Sequence, residues 1–136
     1  MQAIPLQRPA AVVAPSHISD SSGSAMARAT VNLFRRWGVG DAEACTLLGG
    51  MSASTYARWK RGDIGRLGTD LKTRLSLLMG VHKALRILFT DKDRVYHWVM
   101  QPNTALEGAR PLDVMLRGQI MDLYRIRNFL DAARGW

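Results

Sequence analysis

Cysteine and glutamate are scarce in this chain, and histidines stand far apart. A lone thiol, Cys45, rules out an intrachain disulfide and fits a reducing, cytoplasmic setting. His17, His82 and His97 show no metal-ligand spacing with one another or with Cys45, and Glu43 and Glu107 are the only glutamates. Neither a phosphate-cradling Walker loop nor a dinucleotide glycine fingerprint occurs. This inventory offers no active site, so the expectation is a protein that is not an enzyme and takes no cofactor or metal. Long apolar runs are missing too, and no membrane association is expected. The stretch Ala10–Ala14 is apolar but short, has only Arg8 before it and is broken by Pro15, so no secretory signal is expected.

What the chain has instead is positive charge. Lys and Arg number 19 against 11 acids over 136 residues, a net charge of +8. That balance favours a polyanionic partner, nucleic acid above all, although a merely basic protein is the plainer alternative. Residues 25–66 carry seven basic and three acidic side chains and residues 67–136 carry eleven and seven, so both halves are positive. A protein partner of the C-terminal half would then offer an acidic surface.

Residues 1–24 are rich in Ala, Pro and Ser without periodicity and read as a mobile arm. Beyond them the punctuation is helical throughout, and no segment reads as a strand. Met26, Ala29, Leu33 and Trp37 recur at helical spacing up to Gly38. Asp41 opens a second helix through Leu48, with Ala44, Cys45, Leu47 and Leu48 inward, and Gly49-Gly50 stops it. Ser52 caps a third helix that Gly62 closes. A long helix from about Thr69 to Phe89 carries Leu71, Leu75, Leu78, His82, Leu85 and Phe89 on one stripe. On that stripe His82 reads as a half-buried core residue, and Cys45 as a small buried hydrophobe. Asp91 or Asp93 opens the next helix to Met100, and Pro102 breaks it. Pro111 starts a short helix to Arg117. Ile120, Leu123, Ile126 and Leu130 drive the last one.

Helix, tight glycine turn and helix over residues 41–61 form the helix-turn-helix layout. Met51, Tyr56 and Trp59 pack the second of these helices onto the first. Ser54, Arg58 and Arg61 then face outward at i, i+4 and i+7. Ser52, Ala53, Ser54 and Thr55 at the helix start can approach base edges or phosphates. Arg58 and Arg61 can bind phosphate or pair with guanine, and Lys60 adds a backbone contact. Arg66 and the Arg35-Arg36 pair are further candidates for phosphate contacts. An ordinary helical hairpin with a solvated basic face is the alternative.

The C-terminal half holds more turn chemistry than a generic hairpin needs. Trp98 leads into Pro102-Asn103, where the Asn103 side chain can close a turn. Gly108 and Pro111 fix the entry of a helix bearing Leu112, Met115 and Leu116.

The order Leu47-Leu48-Gly49, Ser52, Thr55, Arg58-Trp59 and Gly62, then Trp98, Pro102-Asn103, Gly108, Pro111-Leu112, Gly118, Leu130 and Gly135, resembles the Xre/MbcA/ParS antitoxins. The likeness covers about residues 25–136, and the Pro-Asn, Gly, Pro-Leu block is its more specific part. One departure is Leu106, where many members carry an aromatic, which puts that pocket contact in doubt.

The resemblance implies an all-α fold: a helix-turn-helix region over 25–66, then a helical dimerisation and toxin-binding region over 67–136. It implies a RES-domain toxin as partner, one that degrades NAD or transfers ADP-ribose. It further implies operator DNA of the chain's own operon, and a homodimer within a larger complex. Candidate toxin contacts are Asn103, Arg110, Met115, Arg125, Arg127, Arg134 and Trp136. A terminal Arg134-Gly135-Trp136 could enter a dinucleotide cleft, the guanidinium meeting a carboxylate while the indole stacks; packing on its own dimer is the alternative. A stand-alone transcriptional regulator with a dimerisation domain is the other reading of the whole chain.

Overall fold

Residues 18–135 are described by the structure, a computed structural model. Seven α-helices follow one another: α1 Asp20–Trp37, α2 Asp41–Leu47, α3 Ala53–Lys60, α4 Thr69–Leu88, α5 Lys92–His97, α6 Pro111–Met115 and α7 Ile120–Ala133. Short 3-10 turns at Trp98–Met100 and Thr104–Leu106 fill the span between α5 and α6. Among the described residues there is no strand, and no helix is long and apolar enough to cross a membrane.

The first helix corrects the expected boundary of the arm. Residues 20–24 are helical, and the Ser19 hydroxyl accepts from the Ser22 amide at 3.1 Å as an N-cap. Serine and glycine here have weak helix propensity, so the reason is tertiary. Ile18 and Gly23 are buried, a β-carbon on Gly23 would lie 2.9 Å from Leu67, and the Lys72 ammonium donates to the Ile18 carbonyl at 3.1 Å. Residues 1–17, the rest of the expected arm, lie outside the described residues.

At its far end α1 stops at Gly38, whose φ of 77° lets its amide reach the Arg35 carbonyl while Val39 reaches Phe34. Its inner face buries Ala27, Val31, Phe34 and Trp37.

The fold is organised by α4, which packs most extensively on α7 and next on α1. Two apolar stripes serve these two neighbours. Leu75, Leu78 and Leu85 are buried as the sequence pattern predicts, but Leu77, Val81 and Ala84 are buried as well. His82 and Phe89 are only half-buried. One continuous core therefore runs from Ala27 in α1 to Leu130 in α7, joining both halves of the chain.

Candidate nucleic-acid and partner interfaces

The first surface is built on α2 and α3. Ala44, Leu47 and Leu48 bury one side of the pair, and Tyr56 and Trp59 pack α3 against them. Between the helices Gly49 and Gly50 both have φ of 85°, and the amides of Gly50 and Met51 share the Cys45 carbonyl. The turn is held from outside by Arg74. Its buried guanidinium pairs with Asp70 at 3.0 Å and donates to the Leu47 carbonyl at 3.4 Å. Sequence reasoning missed this residue, because nothing local distinguishes a buried arginine on α4 from a solvated one.

At the start of α3, the Ser52 hydroxyl accepts from the Thr55 amide at 3.2 Å and donates to the Thr55 hydroxyl at 2.9 Å. The Thr55 hydroxyl in turn accepts from Arg58 at 3.4 Å. Ser52, Ala53, Ser54, Arg58 and Arg61 are exposed along this helix, and Thr55 is half-exposed. Lys60 is exposed too but committed inward. Its ammonium sits 2.7 Å from Asp41 and 5.7 Å from the centre of the Tyr56 ring.

The α1 arginines have partners within the chain. Arg28 donates to the Gly62 carbonyl at 3.2 Å, and Arg35 to the Lys60 carbonyl at 3.5 Å. Both place cations at the C-terminal end of α3, where the helix dipole favours them. Arg36 instead lies 5.0 Å from the centre of the Tyr96 ring.

Cys45 is half-buried, and its thiol is pushed above its ordinary range by burial first and by Asp41 second, which favours the protonated form. Among the described residues no three histidine, cysteine or acidic side chains gather as metal ligands.

The second surface is formed after α5. Trp98 stacks on Phe129 of α7, ring centres 6.0 Å apart. It borders an open groove of about 370 Å³ whose lining includes Arg94, His97, Gln101, Pro102 and Asn103. Asn103 closes the following loop. Its side-chain oxygen accepts from the Ala105 amide at 2.9 Å, its carbonyl accepts from Gly108, and its amide donates to the Ala109 carbonyl. Glu107 at φ 58° and Gly108 at φ 83° are successive left-handed residues of this loop.

Arg110 forks onto Asp113 at 2.7 Å, and this contact holds the Asp113 carboxyl below its ordinary range. Asp113 also accepts from the Arg110 amide, capping α6.

Two residues expected to meet a toxin are interior. Met115 is fully buried because the α6 apolar face packs on α7. Arg127 is 1% exposed, with its guanidinium on Asp131 at 3.2 Å. Arg134 lies 3.6 Å from the same carboxylate. Arg125 is exposed, and Trp136 lies outside the described residues.

The outer stripe of α7 carries features that sequence reasoning overlooked. Met121 and Tyr124 are 69% and 40% exposed, and they sit at i and i+3 beside Arg125. They lie off the seam of Ile120, Leu123, Ile126 and Leu130, and the inward packing of Leu123, Ile126 and Leu130 turns them outward.

Two domain families match the chain in tandem. Residues 16–80 match the antitoxin Xre-like helix-turn-helix domain, and residues 84–135 match the antitoxin Xre/MbcA/ParS C-terminal toxin-binding domain. Over 121 residues the chain is 41% identical to the uncharacterized protein y4oB of Sinorhizobium fredii, covering 86% of this chain and 93% of that protein. With a helix-turn-helix domain matched over α1 to α4 and a toxin-binding domain from the last turn of α4 onward, the chain belongs to the Xre/MbcA/ParS antitoxins, a family of non-enzymatic neutralisers.

Proposed function

We propose that this antitoxin silences a RES-domain toxin that consumes NAD or ADP-ribosylates a protein, and that it represses its own operon. The observation that carries the repressor half is the exposed row Ser52, Ala53, Ser54, Arg58 and Arg61 on α3. A helix in the major groove reads bases with its first residues, and cations farther along meet phosphates. Thr55 holds Arg58 in place, and Lys60, paired to Asp41, contributes weakly.

The toxin half rests on the family likeness and on the outward stripe of α7. Met121, Tyr124 and Arg125 offer an apolar and cationic contact, and Asn103 and Arg110 shape the adjoining loop. In this reading two copies of the chain assemble with the toxin in a larger complex.

Cellular NAD is the decisive measurement. It is followed in cells expressing the gene adjacent to this one, with and without this chain. NAD that collapses with the neighbour alone and returns with this chain supports an NAD-consuming toxin. Arrested growth at normal NAD, rescued by this chain, identifies a protein-modifying one. A harmless neighbour would overturn the toxin assignment in favour of a stand-alone regulator.

A further inference from the structure

A cleft between α1, α4 and α5 gathers donors that neither interface uses. Asn32 and Arg36 come from α1, His82 and Arg86 from α4, and Tyr96 from α5, around a cavity of about 280 Å³. Tyr96 organises the group. Its ring stacks on His82 with centres 5.4 Å apart, and the Arg36 guanidinium lies 5.0 Å from its centroid.

No carboxylate lines this cleft. Within the described residues neither Arg36 nor Arg86 takes part in an ion pair, in contrast to Arg74, Arg110 and Arg127. The His82 Nδ1 is buried and has no hydrogen-bond partner. An imidazole nitrogen in that state is free to donate to an anion once it is protonated.

The location separates this cluster from the α3 surface. Arg28 and Arg35, seven residues apart, turn toward the end of α3. Asn32 and Arg36, four residues apart, line the cleft on the flank of α1 that meets α4 and α5. The cleft also spans the two matched domains, since Arg36 lies in the first and Arg86 and Tyr96 in the second.

We infer that this cleft binds a phosphate group, held by the guanidinium groups of Arg36 and Arg86 with Asn32 and the Tyr96 hydroxyl as neutral donors. Guanidinium forks match phosphate oxygens in geometry as well as charge. Two forks and two neutral donors offer more hydrogen bonds than the two oxygens of a carboxylate accept. The cationic lining continues past Arg86 and Tyr96 into a neighbouring hollow of about 310 Å³ bordered by Lys92 and Thr90. A second phosphate group would have Lys92 as its cationic partner.

His82 makes the site observable. Burial first, then Arg86 and Arg36, hold its imidazole below its ordinary range. No carboxylate lines the cleft, and Asp20, Asp70 and Asp93 of the same three helices are not among its lining residues, so an anion seated beside Arg36 and Arg86 raises the titration midpoint.

The test follows the three histidine ring resonances by NMR in the full chain. Inorganic phosphate and pyrophosphate are added in turn, with ionic strength fixed by potassium chloride. The expected result is a saturable shift of His82 alone, a higher His82 titration midpoint, and tighter binding of pyrophosphate. Arg36→Gln and Arg86→Gln, both at exposed positions, should each weaken binding by about tenfold. Circular dichroism confirms that these variants fold.

Duplex DNA distinguishes the two sources of the group. DNA that shifts His82 and is displaced by phosphate points to a nucleic-acid backbone; DNA that leaves it unmoved points to a small phosphate ester. A His82 signal indifferent to phosphate and pyrophosphate, equal shifts of all three histidines, or unchanged affinity in both variants would overturn the site.

Discussion

Arg58 and His82 show how differently a single charge or ring acts in this protein. Arg58 is exposed and its guanidinium donates to Thr55, so its removal disturbs no core. Arg58→Ala should weaken operator binding by about 1–3 kcal/mol if it pairs with a base, and leave toxin binding unchanged. A gel shift at fixed salt measures the first and a pull-down of the toxin the second; unaltered DNA affinity removes α3 from the interface. His82 acts on stability instead. Its folded titration range is depressed below the unfolded value of about 6.5, so the unfolded chain binds the extra proton first. Its contribution is intact above that value and is lost as pH falls through the depressed range. Asp113, also depressed, loses its contribution only at more acidic pH, below the ordinary carboxylate range. Urea unfolding at pH 7.5 and 5.5 should therefore show lower stability at the acid point, and His82→Gln should shrink that difference. An identical difference in the variant would place the linkage elsewhere.

Among elements, the turn between α2 and α3 is the most demanding. Gly49 and Gly50 share the same left-handed φ, yet a β-carbon meets nothing within 4 Å at Gly50 and the Arg74 Nε at 2.8 Å at Gly49. Gly50→Ala should cost only the backbone strain of about 1–2 kcal/mol. Gly49→Ala adds displacement of a buried guanidinium from Asp70 and Leu47, a further loss of about 1–3 kcal/mol by equilibrium unfolding. Equal costs would show that Arg74 gives way freely. The glycine turn itself was legible because dihedral chemistry is local, as were the Ser52 cap and the Asn103 turn. Arg74, the second stripe of α4 and the burial of Met115 and Arg127 were not, because each depends on which helix lies opposite. The same dependence hid Met121 on α7. Met121→Glu should impair toxin neutralisation and spare operator binding, since the side chain is 69% exposed and supports no core contact. Full neutralisation by this variant in a growth-rescue assay would remove the α7 stripe from the toxin surface.

At the scale of the molecule, the two candidate surfaces share one hydrophobic interior. Trp37 and Trp59 lie in the half that matches the helix-turn-helix domain and Trp98 in the half that matches the toxin-binding domain, while α4 contributes Leu75, Leu78 and Leu85 to the core between them. Domains that merely abut unfold separately, but halves that share a core lose it together. This predicts one unfolding transition, with tryptophan fluorescence and far-ultraviolet circular dichroism coinciding. Leu78 is fully buried on the central helix, so Leu78→Ala should lower stability by about 2–5 kcal/mol and shift both probes equally. DNA and toxin binding should then fail over the same range of denaturant, unlike the separable effects of Arg58→Ala and Met121→Glu. If the probes split, with one half surviving the other, α4 is a connector and not a shared core. A coincident loss means that proteolytic or thermal opening of either half releases operator and toxin in one step.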